Sequence, residues 1–109
     1  MCGFTGYLAL NPLTESTDSK SFIQDMTDSL YHRGPDSEGF WEDGAQGISM
    51  GFRRLAIIDT SSKGNQPMFS NNGQYVLTFN GEIYNHLDLR VELEKQGHST
   101  IWRGYSDTE

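Results

Sequence analysis

The spacing of apolar residues in the first third of the chain predicts a strand followed by a helix. Residues 4–10 form a mostly apolar run, which is typical of a strand, and Asn11-Pro12 is expected to end it. Apolar positions recur at helical spacing from residue 19 to residue 31 and predict an amphipathic helix. We expect Asp18 or Ser19 to cap this helix and Gly34-Pro35 to end it.

The middle of the chain alternates between apolar runs and turn residues, as antiparallel strands do. Residues 37–42 and 46–53 predict two strands that are joined by a hairpin turn at Asp43-Gly44. Residues 55–58 continue as a fourth apolar run, and Asp59 ends it. A second hairpin turn is predicted further along the chain, at Asn71-Asn72-Gly73, where three turn-forming residues stand together.

The last third of the chain predicts a strand, a helix and a short strand. In the strand at residues 74–79, the alternation of Tyr75, Leu77 and Phe79 with smaller residues predicts one well-buried face. Residues 87–96 predict the second helix, with Leu89 and Leu93 on one face and Gly97 at the C′ position. Residues 99–103 predict the last strand. Mostly antiparallel strands with two helices define an α+β domain.

The chain of 109 residues fits one small domain or part of a larger one. Ser106 followed three residues later by Glu109 is a capping-box pattern, which normally precedes an apolar helical run. No such run follows in this sequence. We therefore expect the chain to be a fragment of a longer protein.

Composition excludes several classes of function. Eight basic against fifteen acidic residues give a net charge of −7, which argues against nucleic acid and anionic membrane as partners. No apolar run approaches the roughly 20 residues of a membrane span, and no signal peptide is recognisable. The spacing of His32, His86 and His98 does not suggest a metal site, and the chain has no glycine-rich phosphate loop. These features predict a cytoplasmic protein without a metal or nucleotide site of its own.

Cys2 is the only cysteine, and removal of Met1 would make it the first residue. A thiol and a free α-amine would then share one carbon, so the nucleophile would carry its own base. The alternative is an inert small side chain at the start of an edge strand. Gly3 and Gly6 favour the first interpretation, because they allow a ligand or another backbone to approach closely.

Two other stretches carry groups that could serve a Cys2 reaction centre. Asn80-Gly81 follows an apolar strand and offers a side-chain amide and a backbone N–H, which together can form an oxyanion hole. A plain strand-ending turn is the alternative for this dipeptide. Arg53-Arg54 precedes an apolar run and needs an anion, either a structural acid or a substrate carboxylate. Glu82 and Asp107 could bind a substrate ammonium, or they are ordinary solvated acids.

Six motifs in order along the whole chain resemble the N-terminal part of the glutamine-hydrolysing asparagine synthetases. They are Met1-Cys2-Gly3-Phe4-Thr5-Gly6, His32-Arg33-Gly34-Pro35-Asp36, Arg54-Leu55-Ala56-Ile57-Ile58-Asp59, Gln66-Pro67, Asn80-Gly81-Glu82-Ile83-Tyr84-Asn85 and Ser106-Asp107-Thr108-Glu109. The resemblance implies a class II glutamine amidotransferase. It also implies that residues 1–109 are the first part of a four-layer αββα N-terminal-nucleophile hydrolase fold, with the rest of that domain and a synthetase domain absent from this chain.

The resemblance assigns roles residue by residue. Cys2 would be the nucleophile, and Asn80 with Gly81 would form the oxyanion hole. Arg54 would hold the α-carboxylate of glutamine, and Glu82 with Asp107 would receive its α-ammonium. The loop of Arg33 to Asp36 would support the site without reacting. The pocket lining would be the backbone that follows Arg54, made of Leu55, Ala56, Ile57 and Ile58.

The implied reaction releases ammonia from L-glutamine for the ATP-dependent amidation of aspartate. The chain itself would need no cofactor, whereas ATP and magnesium are expected in the synthetase domain. A homodimer of the full-length protein is a further expectation. Two alternatives stay open: an amidotransferase-like enzyme of surface-polysaccharide or secondary-metabolite assembly, and a truncated module without catalysis.

Overall fold

A computed structural model describes residues 2–10, 17–57, 59–98 and 101–109. Its main sheet has three antiparallel strands in the order β1-β3-β2. The strands are β1 (Gly3–Leu8), β2 (Ser37–Asp43) and β3 (Ile48–Arg54). Gly3 lies opposite Arg53, and Ser37 lies opposite Arg54. The start of β1 and the end of β3 therefore meet at one end of the sheet.

The helix α1 (Thr17–Asp28) packs on this sheet and confirms the predicted amphipathic helix. Ile23 and Thr27 of this helix are almost completely buried. Phe52 is equally buried but lies on the opposite face of the sheet, because its neighbours Gly51 and Arg53 face the helix. Gly51 leaves no room for a Cβ atom beside the Thr27 hydroxyl, so the helix lies very close to β3. The hydroxyl of Thr27 donates to the Ile23 carbonyl at 2.7 Å, which satisfies the buried polar group.

Both ends of α1 differ from the prediction. The helix already includes Asp18 and Ser19 in its first turn, so neither residue is its cap. At the other end the regular helix stops at Asp28, and a 3₁₀ helix (Tyr31–Arg33) leads to Gly34. A hydrogen bond from the Leu30 N–H to the Thr27 carbonyl, three residues back, accounts for this tightening.

The predicted hairpin between β2 and β3 is confirmed, with its turn at residues 44–47. The Asp43 carboxylate accepts from the Gln46 N–H at 3.1 Å, and Gly47 has a φ of 67°, which favours glycine. Because the turn uses these residues, β3 begins at Ile48, later than predicted. The fourth apolar run does not form a regular strand at residues 55–57.

A second, two-stranded sheet contains β4 (Met68–Phe69) and β5 (Val76–Leu77). The predicted hairpin turn lies between them, with Gly73 at a φ of 70°. The predicted buried face is wrong, since Tyr75 is 71% and Leu77 is 46% exposed. In the described part of the chain, β5 pairs only with two residues of β4, and no layer covers this face.

The second predicted helix is confirmed as α2 (His86–Lys95). Gly97 ends it with a φ of 83°, and its N–H donates to the Glu94 carbonyl at 3.0 Å. The N–H of His98 donates to the Leu93 carbonyl at 3.0 Å, which completes a Schellman motif. The predicted apolar face is present, but Leu93 and the other leucines of this helix are exposed.

The chain end contradicts two local predictions. Residues 101–103 do not form a strand. Glu109 does not complete a capping box with Ser106, because its carboxylate accepts from the N–H of Gly104 at 3.0 Å and from that of Arg103. Within the described ranges, no helix is long and apolar enough to span a bilayer.

Some predictions fall on residues that the structure does not describe. The removal of Met1, the strand end at Asn11-Pro12, the place of Ile58 in the pocket and the start of the last strand at residues 99–100 all lie outside the described residues. The α+β class and the antiparallel pairing of the strands in both sheets are confirmed.

Candidate active site

A cleft of about 400 Å³ opens at the end of the main sheet where β1 begins and β3 ends. It brings together four segments that are far apart in the sequence. Among the described residues, every predicted site residue lines it except Ala56. The lining residues are Cys2, Arg54, Leu55, Ile57, Asp59, Gly64, Gln66, Phe79, Asn80, Gly81, Glu82, Tyr84, Ser106, Asp107 and Thr108.

Cys2 precedes β1 and is half-buried in this cleft. Its sulfur accepts a hydrogen bond from the Leu55 N–H at 3.2 Å, and its thiol donates to the Leu55 carbonyl at 3.5 Å. The carbonyl of Cys2 accepts from Nε of Arg33 at 3.1 Å. The sulfur is thus held by the backbone that directly follows β3. This position places the thiol in the wall of the cleft.

The loop from Arg33 to Asp36 supports Cys2 and the residues that follow β3. The Asp36 carboxylate accepts from the Ala56 N–H at 2.8 Å, and the Asp36 N–H donates to the Arg54 carbonyl at 3.0 Å. This hydrogen bond ties Ala56 to the loop, whereas its neighbours Leu55 and Ile57 line the cleft. A Cβ atom on Gly34 would lie 2.5 Å from the Arg53 carbonyl carbon, so only glycine fits at this contact.

The two arginines at the end of β3 have different partners. Arg53 forms ion pairs with Asp28 and, at 2.9 Å, with Glu38, and its guanidinium lies 5.2 Å from the centre of the Tyr31 ring. Its anions are therefore structural. Arg54 is buried and lines the cleft, and its guanidinium binds the loop at residues 59–65.

Three of the five N–H groups of Arg54 are used by that loop. They donate to the Ser61 carbonyl at 2.6 Å, to the Asn65 side chain at 2.8 Å and to the Asp59 carbonyl. Gly64 leaves no room for a Cβ atom beside this guanidinium. The Nε–H and one Nη2–H have no acceptor among the described residues. Arg54 can thus hold the loop and still offer two donors to an anion.

Asp59 joins the same loop to the chain end. Its carboxylate accepts from the Ser61 hydroxyl at 2.6 Å, the Ser61 N–H at 2.8 Å and the Tyr105 N–H at 3.0 Å. The Ser61 hydroxyl, followed by the two N–H groups, lowers the pKa of Asp59 from 3.8 to about 2. The ionised carboxylate therefore holds residues 104–105 at the cleft.

Glu109 and Arg90 hold the chain end against α2. Burial opposes ionisation of Glu109, but hydrogen bonds from the N–H groups of Arg103 and Gly104 and the nearby guanidiniums lower its pKa overall. Arg90 donates to the Gly104 carbonyl at 2.9 Å and the Ser106 carbonyl at 2.7 Å, and it lies 4.4 Å from the centre of the Trp102 ring. This segment carries Asp107 to the cleft.

Asp107 and Glu82 place two carboxylates in the wall of one cleft. Asp107 accepts from the Ile83 N–H at 2.8 Å, so its position is tied to the backbone beside Glu82. Asn80 and Gly81 directly precede Glu82 and line the same cleft. Two carboxylates can hold an ammonium group, and a side-chain amide with a backbone N–H can hold a developing oxyanion.

Several lining residues were missed by sequence reasoning. Gln66 is buried, and its amide contacts the backbone of Phe79 and the Thr108 hydroxyl. The resemblance includes both Gln66 and Thr108 among its motifs, but it gave neither residue a role. A glutamine in a polar segment looks solvated in the sequence, so only its burial in the tertiary structure reveals it.

The whole chain, residues 1–109, matches the family described as glutamine amidotransferase domain. The chain belongs to this family. Proteins named glutamine-hydrolyzing asparagine synthetases are among its curated relatives. The glutamine-hydrolyzing asparagine synthetase 1 of Bacillus subtilis is 43% identical over 109 residues, with 100% of this chain and 16% of the relative covered.

Two further relatives come from other groups of organisms. A putative glutamine-hydrolyzing asparagine synthetase of Mycobacterium tuberculosis is 40% identical over 119 residues, covering 100% of this chain and 18% of the relative. The glutamine-hydrolyzing asparagine synthetase 1 of Arabidopsis thaliana is 36% identical over 100 residues, covering 92% of this chain and 16% of the relative. The chain thus spans about one sixth of the length of these relatives.

Proposed function

We propose that this chain is the glutamine-hydrolysing part of an asparagine synthetase. The observation that carries this proposal is the cleft, in which the only cysteine of the chain meets an amide-bearing turn and two carboxylates. Those groups suit a substrate with a carboxamide at one end and an ammonium at the other. The names of the relatives support the same substrate, L-glutamine.

The reaction begins at the Cys2 sulfur. Once Met1 is removed, the α-amine of Cys2 takes the thiol proton as the sulfur attacks the carboxamide carbon of glutamine. Asn80 and Gly81 donate to the oxygen that becomes negative in the tetrahedral intermediate. The carbon–nitrogen bond then breaks, ammonia leaves with the proton returned by the α-amine, and a glutamyl thioester remains. Water hydrolyses the thioester to glutamate and the free thiol.

The remaining groups of the cleft bind the amino-acid end of the substrate. The two N–H groups of Arg54 that the loop does not use would hold the α-carboxylate. Asp107 and Glu82 would hold the α-ammonium. Leu55 and Ile57, which line the cleft, would form the floor between the two ends of the substrate.

Residues 1–109 are, in this proposal, the first part of a larger glutaminase domain with the four-layer αββα fold. The exposed apolar residues of β5 and α2 support this view, because further layers of such a domain would bury them. ATP and magnesium would serve a synthetase domain that amidates aspartate with the released ammonia. The full-length protein would act in the cytoplasm and could form a homodimer.

The decisive experiment replaces the proposed nucleophile in the full-length protein. Cys2→Ala should abolish glutamine-dependent asparagine formation, because no thioester can form. Formation of asparagine from free ammonia should continue, since ammonia does not need the thiol. Both rates are measured by amino-acid analysis under the same ATP and aspartate concentrations.

Three results would contradict the proposal. Glutamine-dependent turnover that survives Cys2→Ala would show that another residue is the nucleophile. If the wild-type protein hydrolyses glutamine but transfers ammonia to another acceptor, it is instead an amidotransferase-like enzyme of polysaccharide or secondary-metabolite assembly. A processed wild-type protein that releases no ammonia from glutamine would be a non-catalytic module.

A further inference from the structure

Gln66 lies where three segments of the cleft wall meet. Its residue is only 7% exposed, and its side-chain amide makes three hydrogen bonds. Oε1 accepts from the Phe79 N–H at 2.5 Å, and Nε2 donates to the Phe79 carbonyl at 3.2 Å and to the Thr108 hydroxyl at 3.1 Å. Both N–H groups of the amide are therefore used.

The two partners of Gln66 each adjoin a proposed functional group. Phe79 directly precedes Asn80, and Thr108 directly follows Asp107. β5 ends at Leu77, so a neighbouring strand does not pair with Phe79 in the described structure. The amide of Gln66 instead bonds to both the N–H and the carbonyl of Phe79, as a strand neighbour would.

Gln66 is itself held in place from two sides. Gly39 in β2 packs so closely against the Gln66 carbonyl that a Cβ atom could not fit between them. The preceding residue, Asn65, accepts a hydrogen bond from Arg54 at 2.8 Å. Gln66 is therefore anchored on the main sheet and on the loop that Arg54 binds, and its amide links them to Phe79 and Thr108.

We propose that Gln66 is a positioning residue of the glutamine-hydrolysing site. Its one amide sets the position of the Asn80-Gly81 turn relative to Asp107. Glutamine has a fixed number of bonds between its carboxamide and its ammonium, so the groups that bind the two ends must keep a defined separation. This inference rests on the proposed function, since it assumes that Asn80-Gly81 and Asp107 bind opposite ends of one substrate.

Two substitutions separate the two halves of this bridge. Gln66→Met keeps the length of the side chain but removes all three hydrogen bonds, so both the turn and Asp107 lose their support. Thr108→Val has nearly the same shape as threonine and removes only the bond on the Asp107 side. Gln46→Met is the matched control, because Gln46 is exposed in the hairpin turn at the opposite end of the sheet.

The experiment measures steady-state glutamine hydrolysis and the melting temperature of the full-length variants. Gln66→Met should lower kcat about tenfold to hundredfold and also raise KM. Removal of an oxyanion-hole donor typically lowers kcat about 10²–10³-fold, and a donor that is present but misplaced should lower it less. Thr108→Val should raise KM several-fold and leave kcat within about twofold, by the rule that a group used only for binding changes KM alone. Gln46→Met should match the wild type in both constants.

The possible results are distinguishable. A wild-type protein without glutaminase activity would overturn the proposed function, and this inference with it. An active wild type in which folded Gln66→Met keeps both constants would overturn only the role of Gln66. The fraction of intact sites in each variant is measured by covalent labelling of the Cys2 thiol. If the activity of Gln66→Met falls only in proportion to that fraction, Gln66 is merely a structural residue. If Gln66→Met does not fold, Thr108→Val decides: a raised KM supports the inference, and an unchanged KM overturns it.

Discussion

Arg53 and Arg54 adjoin each other at the end of β3 but serve different parts of the molecule. Successive side chains of a strand point to opposite faces. Arg53 thus meets Asp28 of α1, whereas Arg54 meets the loop at residues 59–65. Neighbouring arginines have the same charge and reach, so the sequence alone assigned Arg54 to the substrate only through the resemblance. The structure adds that Arg54 shares its donors between the loop and the cleft.

At the residue scale, Arg54→Lys tests the proposed carboxylate site. Lysine keeps the charge but lacks the planar fork that binds a carboxylate through two parallel bonds. The lost hydrogen bond to a charged group should cost about 2–3 kcal/mol. At about 1.4 kcal/mol per tenfold, this corresponds to a rise of about thirty- to hundredfold in the glutamine KM. Steady-state kinetics of the full-length protein measure it.

Arg53→Lys is the control for this variant. Its guanidinium contacts Asp28, Glu38 and the Thr27 carbonyl, so the substitution should lower the free energy of unfolding and leave the glutamine KM unchanged. Ammonia-dependent synthesis should continue in both variants, because ammonia has no carboxylate. A raised KM for Arg53→Lys with a normal KM for Arg54→Lys would reverse the assignment of the two arginines.

At the scale of elements, the loop from Arg33 to Asp36 connects β1 with the end of β3. Arg33 donates to the Cys2 carbonyl, and Asp36 accepts from the Ala56 N–H. The loop therefore fixes both the backbone of Cys2 and the backbone beside which its sulfur lies. Gly34 lets the loop approach β3 closely enough for these bonds. The sequence showed that this loop was restricted by glycine and proline, but not which backbone it supported.

Gly34→Ala should displace this loop. The added Cβ atom would lie 2.6 Å from the Arg54 nitrogen, and backbone atoms cannot move aside as a flexible side chain can. Such overpacking typically costs about 1–3 kcal/mol, and we expect a lower kcat for glutamine hydrolysis as well. Urea unfolding and steady-state kinetics of the full-length protein measure the two effects.

Gly44→Ala provides the matched control, because no atom of the described residues, apart from the chain neighbours of Gly44, lies within 4 Å of a Cβ atom added at this position in the hairpin turn. This variant should retain the wild-type unfolding free energy and activity. Equal effects of the two substitutions would mean that the close approach of Gly34 to β3 has no special role in the site.

At the scale of the whole molecule, the cleft depends on holding the chain end beside the main sheet. Asp59 accepts from the Tyr105 N–H, and Glu109 accepts from the Gly104 N–H while Arg90 holds the carbonyls of the same segment. Asp59 and Tyr105, for example, are 46 positions apart in the sequence. They place Asp107 opposite the residues that follow β3.

This arrangement predicts a loss of stability in acid. The pKa of Asp59 is lowered to about 2 in the folded protein, from an ordinary value of 3.8. A lowered pKa means that the carboxylate stabilises the fold above pH 3.8 and that this contribution disappears as the pH falls towards 2. Asp59→Asn should therefore show a weaker decrease of the unfolding free energy between pH 4 and pH 2, measured by urea unfolding.

Asp25→Asn is the comparison for this experiment, since Asp25 is exposed on α1. Its pH dependence should follow that of the wild type. If the unfolding free energy of Asp59→Asn decreases between pH 4 and pH 2 as steeply as that of the wild type, other carboxylates, such as Glu109, account for the acid sensitivity.

The sequence determined the elements whose signals are local. The amphipathic period of α1, the turn residues of both hairpins and Gly97 after α2 each act over a few residues, and all of these predictions are confirmed. The order of the motifs likewise pointed to the family. Burial was less predictable, since Tyr75 and Leu77 are apolar in sequence but exposed in the structure. An alternating pattern specifies a face, and only a covering layer buries it.

The tertiary structure alone decided how the site is assembled. It placed Cys2 beside Leu55, gave the two arginines different partners and buried Gln66 between Phe79 and Thr108. It also bonded the Glu109 carboxylate to the N–H of Gly104, where a capping box with Ser106 had been predicted. These contacts join distant segments through the register of the sheet and the packing of loops. No local pattern of residues encodes them, because each depends on where the rest of the chain lies.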